Sequence, residues 1–227
     1  MGIINNLKKG ISNIVKTKVN IKIDEETIVV DGSYKHIVDD KNGDYFIKQT
    51  SSATSLFVYS KLKYGEQVPM NDNVEFINGC RQFLNNNQGL VEVINTKTKS
   101  GKTCAYSIIK EKLDPFGMMY IMTLQIAYDC FVFNVHGEFR EEGITGVRDT
   151  AIYTLYQDNK EGKMVKGKKI KFNVDEKETE WARDPYDNNI KNGMLMNLSE
   201  LPQFDNTFPN HPLSEARRLV KFFINNN

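Results

Sequence analysis

The stretch MMYIMTLQIAYDCFVFNVHGEFREEGITGVRDTAIYTLY, residues 118–156, decides the fold of this chain. Its first part alternates like a β-strand, with Phe131, Phe133, Val135 and Phe139 on one side and Asn134, His136, Glu138 and Arg140 on the other. After Gly143 the apolar residues recur every three or four positions, at Ile144, Val147, Ala151, Ile152 and Leu155. The pattern predicts a strand that turns at a glycine into a helix, which Thr145 caps and whose apolar face lies on the sheet. We therefore expect an α+β domain organised around this strand and helix.

The segments on either side predict a mostly antiparallel sheet flanked by helices, arranged as an α/β/α sandwich. Alternating or β-branched runs predict strands over residues 19–23, 27–30, 34–38, 45–49, 55–63, 90–96, 103–111, 118–128 and 130–140. The last four runs follow one another through short links, which is typical of a meander. Only Asp129 separates the last two runs, so one bent strand fits the pattern as well as a hairpin does. Asn71 or Asp72 caps a predicted helix that ends near Leu84, and Pro212 begins another.

These elements divide the chain into three parts. They are an amphipathic N-terminal helix (residues 1–18), an α+β core domain (residues 19–158) and a C-terminal extension (residues 159–227) that wraps the core and ends in a helix. The apolar residues of the first part recur at helical spacing, at Ile3, Ile4, Leu7, Ile11, Ile14 and Val15, and lysines lie off that face. Such a helix packs on its own domain, in a partner's groove or on an anionic membrane surface, and residues 3–18 leave these alternatives open.

The composition argues against several classes of function. The chain has 30 Lys and Arg against 29 Asp and Glu, so it lacks the basic surplus that is typical of nucleic-acid binding. Cys80, Cys104 and Cys130 have no CxxC spacing, which predicts reduced core thiols, and three histidines are too few for a His-rich metal site. There is neither an apolar run long enough to span a bilayer nor a secretory signal. We expect a cytoplasmic protein without a metal or other cofactor, and the many Asn and Lys residues indicate an AT-rich, bacterial genome.

Three groups of residues are candidates for a functional site. His136, Glu138 and Arg140, followed by Glu141, offer a base, an acid and a cation, although a solvated sheet face has the same composition. Arg148 and Asp149 lie in the first turn of a predicted helix, where they frame an anion, or where Arg148 instead forms a salt bridge with Glu141 or Glu142. The third group comprises Trp181, Arg183, Asp184 and Tyr186. Its composition is that of a binding hot spot, or of an anchor that holds an irregular segment against the domain.

The order of elements over residues 34–156 resembles the PsbP-like α/β/α sandwich, a group that includes the Ran-binding nuclear import factor and bacterial effector-chaperone adaptors. The resemblance rests on topology, on the helix placed at residues 71–84 and on residues 138–150. It implies a protein-binding role without catalysis and carries over no individual residue. We therefore expect a cytosolic adaptor or chaperone-like module that binds protein. The alternatives are a small hydrolase that uses His136 and Glu138, and a peripheral membrane protein held by its N-terminal helix.

Overall fold

A computed structural model describes residues 18–38, 44–165, 168–169 and 180–227 of the chain. The predicted N-terminal helix lies outside the described residues, except for Lys18, which begins the first strand. The strands are β1 (Lys18–Ile23), β2 (Glu26–Asp31), β3 (Lys35–Ile37), β4 (Tyr45–Gln49), β5 (Ala53–Leu62), β6 (Gln88–Lys97), β7 (Thr103–Lys112), β8 (Met118–Ala127), β9 (Val132–Glu141), β10 (Met164–Val165), β11 (Lys168–Lys169), β12 (Ala182–Arg183) and β13 (Met196–Asn197). The helices are α1 (Asn73–Gln82), α2 (Val147–Lys160) and α3 (Pro212–Asn226), and two short 3-10 turns cover Leu198–Glu200 and Pro202–Phe204.

Seven of the strands form one antiparallel sheet, in the order β3-β4-β5-β9-β8-β7-β6. Strands β6 to β9 form the predicted meander, and β3 pairs antiparallel with β4 at the far edge. The amide of Tyr128 donates to the carbonyl of Phe131 (2.9 Å) across a tight turn between β8 and β9, so the alternative of one bent strand is wrong. Strands β1 and β2 form an antiparallel hairpin outside this sheet. The described residues thus confirm the expected α+β fold.

Helix α3 covers one face of the sheet and closes the main core together with the β1–β2 hairpin. Its side chains Leu213, Leu219 and Phe223 are fully buried and pack among residues of β2, β5, β8 and β9. Phe57 of β5 meets Phe223 edge-on, with ring centroids 5.9 Å apart. Pro212 begins the helix as predicted, and Nδ1 of His211 caps it by accepting the amide of Leu213 (3.2 Å). Each of the three buried side chains contributes about 1.5–3 kcal/mol, so α3 is central to the fold.

Helix α1 covers only one edge of the opposite face. The carboxylate of Asp72 accepts the amides of the first turn, which confirms the predicted cap. Phe76 and Ile77 of α1 pack against β6 and β7, next to Val93 and Ala105. Since successive side chains of a strand point to opposite faces, these contacts lie on the side of the sheet that α3 does not reach. The helices of the described residues leave β5, β8 and β9 largely bare on this side.

Helix α2 lies where the sequence pattern did not place it. The predicted Thr145 cap is wrong, because the helix is preceded by Gly146 at φ 70° and no side chain caps it. The predicted packing on the sheet is also wrong. Helix α2 buries Arg148, Ile152 and Tyr156, and its main contacts are with the 3-10 turn Leu198–Glu200 of the C-terminal extension. Of the predicted apolar face, Ile152 is buried as expected, whereas Val147 and Leu155 are exposed to solvent.

Buried polar contacts bind the C-terminal extension to the sheet. The ammonium of Lys110 on β7 lies 2.7 Å from Oε2 of Glu200, and both side chains are almost completely buried. The hydroxyl of Tyr120 on β8 donates to Oε1 of the same carboxylate (3.1 Å). Because α2 packs on this extension, the contacts of Glu200 fix the position of α2 indirectly.

Candidate functional site

The bare part of the sheet carries two rows of side chains that cross three neighbouring strands. In one row Leu56 of β5 and Ile121 of β8 flank Glu138 of β9, and in the next row Val58 and Thr123 flank His136. We call these six residues the open strip. Glu138 is exposed and the other five are half-buried, so apolar and polar side chains alternate on a surface that solvent reaches.

His136 and Glu138 are neighbours on the open strip but do not form a close pair. Nε2 of His136 lies 3.8 Å from Oε1 of Glu138, which exceeds hydrogen-bonding distance. Their side chains are 43% and 51% exposed. Arg140 is exposed further along the same face of β9. The structure therefore brings these three predicted site residues onto one face, where they can make polar contacts with a partner. The hydrolase alternative for His136 and Glu138 stays a prediction.

A cavity of about 350 Å³ lies between α1 and the sheet and adjoins the open strip. Its wall includes Phe76 and Cys80 of α1 and Phe83, which directly follows the helix. Its floor includes Ile109 and Thr123, and Thr123 belongs to the open strip. Phe83 is 86% exposed, which is unusual for a large apolar side chain. We call this cavity the α1 groove. The groove and the open strip form one continuous, partly apolar surface.

The cysteines offer little nucleophilic character at this surface. Burial raises the pKa of Cys80 in the α1 groove, against the hydrogen bond with Ser107, and a raised pKa disfavours the reactive thiolate. Cys104 is buried, but Cys130 is exposed in the turn between β8 and β9. The prediction that all three cysteines are core thiols is therefore wrong for Cys130.

Glu141 occupies the place where the sequence suggested an external anion. Its carboxylate accepts the amides of Gly146 (3.1 Å) and Met118 (3.0 Å) and lies 3.5 Å from Nε2 of His211. Burial by itself raises the pKa of Glu141, but the hydrogen bonds from His211 and the two amides outweigh burial and lower it below its ordinary value. The start of α2 thus already holds a carboxylate from its own chain.

Arg148 and Asp149 both bind the C-terminal extension. The guanidinium of Arg148 is fully buried and donates to the carbonyls of Ser199 (2.6 Å) and Leu201 (3.1 Å) and to the carboxylate of Asp205. The expected salt bridge to Glu141 or Glu142 is therefore wrong, because the acidic partner comes from later in the chain. The carboxylate of Asp149 accepts the hydroxyl of Ser199. These contacts hold α2 against the extension.

The third predicted group lies along the seam between the extension and the domain. Trp181 packs edge-on against Tyr153 of α2, with ring centroids 4.8 Å apart. Asp184 is buried and forms an ion pair with Arg81 of α1. The hydroxyl of Tyr186 accepts the amide of Val93 on β6 and donates to the carbonyl of the same residue (3.2 Å). Arg183 is half-buried in the short strand β12. These contacts are the ones expected of an anchor.

The apolar members of the open strip were absent from the predicted site. The alternation in β5 places Leu56 and Val58 on one face and Phe57 and Tyr59 on the other, and both sets are apolar. Which set is covered depends on the position of α3, about 160 residues later in the sequence. Local alternation contains no signal that could have distinguished the two faces.

Comparisons with known proteins give no family for this chain. No protein-family model matches the sequence, and no curated protein matches it. Among solved structures, the chain is similar to PA94 from Pseudomonas aeruginosa, a protein of unknown function, at 9% sequence identity and a TM-score of 0.34. The match covers 66% of this chain and 97% of PA94. A likeness of this size supports no argument about function. No helix in the described part of the chain is both long and apolar enough to cross a membrane.

Proposed function

We propose that this chain is a non-catalytic, cytosolic protein-binding module whose binding surface is the open strip together with the α1 groove. One observation carries the proposal. The face of the sheet under α3 is sealed, whereas the opposite face bears half-exposed apolar side chains beside a groove of about 350 Å³. An adaptor role is also what the PsbP-like resemblance implies.

The occupant that fits this surface best is a single helix of a partner protein. Strands in a sheet are about 4.8 Å apart, so β5, β9 and β8 together span about 10 Å between the outer two. A helix with its side chains is about 10–12 Å wide. A partner helix lying beside α1 would therefore complete the second helical layer of the sandwich, in the manner of a helix bound in a groove.

The side chains of the surface define the chemistry of that helix. Leu56, Val58 and Ile121 require an apolar stripe, which Phe83 would border at one side. Glu138 and Arg140 are exposed and favour a basic and an acidic residue opposite them. We expect an amphipathic helix with both charges at the rim of its apolar face.

Val58→Lys tests the proposal, with Val74→Lys as the matched control. Val58 lies in the open strip, whereas Val74 is a 68% exposed valine on the outer side of α1. Both variants should retain the circular dichroism spectrum of the unaltered protein, because neither valine is in the core. In affinity purification from bacterial lysate, Val58→Lys should lose a specific partner that Val74→Lys retains.

A photo-reactive residue in place of His136 then identifies what touches the strip. We expect a cross-link to an amphipathic helical segment of the same partner, and none from the same probe at position 74. The proposal would be contradicted if Val58→Lys and Val74→Lys co-purified the same proteins. It would also be contradicted if the probe gave the same cross-links at position 136 and at position 74.

A further inference from the structure

The chain contains three Asn-Gly pairs, and the structure describes two of them in opposite settings. Asn192 and Gly193 lie in an exposed loop of the C-terminal extension, between β12 and β13. Asn78 and Gly79 lie inside helix α1. The third pair, residues 42–43, lies outside the described residues. The same dipeptide therefore occurs once in a loop and once in a helix, which separates the effect of sequence from that of structure.

The backbone amide of Gly193 is free to react with the side chain that precedes it. Gly193 has a φ of 92°, and a Cβ placed on it would meet no described atom within 4 Å, so the space around this residue is open. Within the described residues, neither the Gly193 amide nor the side chain of Asn192 takes part in a hydrogen bond. Glycine also carries no side chain to hinder an approach to its nitrogen. The side chain of Asn192 can thus turn onto that nitrogen without breaking a hydrogen bond.

Helix α1 blocks the same approach at the other pair. An amide in the interior of a helix donates to the carbonyl four residues earlier, so the Gly79 amide is held by Glu75. The fixed dihedral angles of a helix also prevent the rotation of the backbone that closing a ring through Asn78 requires. Asn78 is therefore protected for as long as α1 is folded.

We propose that Asn192 deamidates spontaneously in the folded protein, and that its isoaspartate product loosens the C-terminal extension from β6. Asparagine is among the chemically labile residues of proteins. The Gly193 nitrogen attacks Cγ of Asn192, and the new C–N bond closes a five-membered succinimide ring. The bond from Cγ to the side-chain nitrogen breaks, and that nitrogen leaves as ammonia with the proton of the Gly193 amide.

Water then opens the ring in one of two ways. Addition of water at Cγ of residue 192 gives aspartate, and the main chain keeps its original path. Addition at the main-chain carbonyl carbon gives isoaspartate, in which the main chain runs through Cβ and Cγ. Isoaspartate therefore lengthens the main chain by one carbon atom immediately before Gly193, whereas aspartate only adds a charge at an exposed position.

The longer main chain matters because the loop lies directly on β6. A Cβ placed on Gly89 of β6 would lie 1.7 Å from the carbonyl oxygen of Met194, so the two main chains are already in contact. The amide of Leu195 donates to the carbonyl of Gly193 (3.1 Å) and closes a tight turn around Met194. An extra carbon atom before this turn cannot be accommodated without moving either the turn or its contact with Gly89. We therefore expect the isoaspartate form to hold the extension less firmly.

Peptide mapping of the full chain by mass spectrometry, after incubation at slightly alkaline pH, measures deamidation at each site separately. We expect Asn192 to react at least tenfold faster than Asn78 in the folded protein. In concentrated urea the two rates should converge, because α1 no longer protects Asn78. Equal rates in the folded protein would overturn the inference, and so would a tenfold difference that persists in urea, because sequence and not structure would then set the rates.

Urea unfolding of aged protein tests the effect of the product. Asn192→Gln is the matched control, since glutamine would have to close a larger ring, and Asn192→Asp reproduces the product that keeps the main chain unchanged. Fresh Asn192→Asp should unfold at the same urea concentration as the fresh unaltered protein. The aged unaltered protein should contain a population that unfolds at lower urea concentration, which aged Asn192→Gln lacks.

An isoaspartate methyltransferase with labelled S-adenosylmethionine should label residue 192 in that less stable population. Equal unfolding of the aged unaltered protein and aged Asn192→Gln would overturn the loosening, and so would a fresh Asn192→Asp variant that is destabilised as strongly as the aged protein. The inference is independent of the proposed function, because the loop that contains Asn192 includes no residue of the open strip or of the α1 groove.

Discussion

Breaking the buried ion pair between Lys110 and Glu200 measures how firmly the C-terminal extension is held. The two charged atoms lie 2.7 Å apart, and the side chains are 2% and 1% exposed. The carboxylate of Glu200 also accepts the hydroxyl of Tyr120 (3.1 Å) and the amide of Asn197 (2.8 Å). The pair is therefore shielded from water and its carboxylate is well satisfied.

The expected effect follows from what each substitution leaves behind. Lys110→Met leaves the carboxylate of Glu200 buried without a cation, and Glu200→Gln leaves the ammonium of Lys110 buried without an anion. Leaving one member of such a pair alone lowers the free energy of unfolding by about 3–5 kcal/mol. The double variant contains no unpaired charge. Its loss of free energy of unfolding should therefore be about 2–3 kcal/mol smaller than the summed losses of the two single variants.

Urea unfolding followed by circular dichroism gives the four free energies of this cycle. Lys61→Met is the control, because Lys61 pairs with Asp24 at the surface, where the two side chains are 46% and 48% exposed. Such pairs contribute less than about 1 kcal/mol. Losses that simply add in the double variant, or a Lys110→Met variant as stable as Lys61→Met, would refute the reasoning.

Three further predictions concern stability and reactivity. Trp181→Ala should lower the free energy of unfolding by about 2–3 kcal/mol in the same urea titration, because it removes the ring packed on α2; the loss of a partner without loss of stability would contradict this. Burial raises the pKa of Glu215, but hydrogen bonds, chiefly from Arg218, outweigh it and lower the pKa below 4.5. Below about pH 4.5 the unfolded chain then binds more protons than the folded chain, so the free energy of unfolding decreases as the pH is lowered. Glu215→Gln should make this decrease less steep in an acid titration. Cys130 should react with a thiol reagent under native conditions, whereas Cys104, whose pKa burial raises to about 12, should react only after unfolding, as mass spectrometry of labelled peptides would show.

Local patterns were sufficient to predict most elements of this fold. Alternation identified the strands of the meander, and Asp72 and Pro212 marked the starts of α1 and α3, because caps and first-turn residues act within a few positions. The polar face that carries His136 and Glu138 was also predicted, since alternation on a strand places both side chains on one side.

Long-range contacts explain what the sequence could not indicate. The apolar spacing of α2 predicted that Val147 and Leu155 were buried, yet Arg148 is the residue that faces the protein. Its partners Ser199, Leu201 and Asp205 lie about 50 residues or more further along the chain. The hydrogen bonds that Arg148 makes with these distant carbonyls and this distant carboxylate decide which side of α2 is buried. The helical periodicity of α2 itself contains no information about those partners.

The hydrogen bonds of Tyr186 have a consequence for solubility. Strand β6 forms one edge of the sheet, and its residues 90–94 are mostly apolar and β-branched. An edge strand of this composition readily pairs with a strand of another molecule. The Tyr186 hydroxyl occupies both backbone groups that Val93 would offer to an incoming strand. Edge-to-edge pairing at Val93 would first have to displace that side chain, so the phenol blocks the addition of a strand at this point of β6.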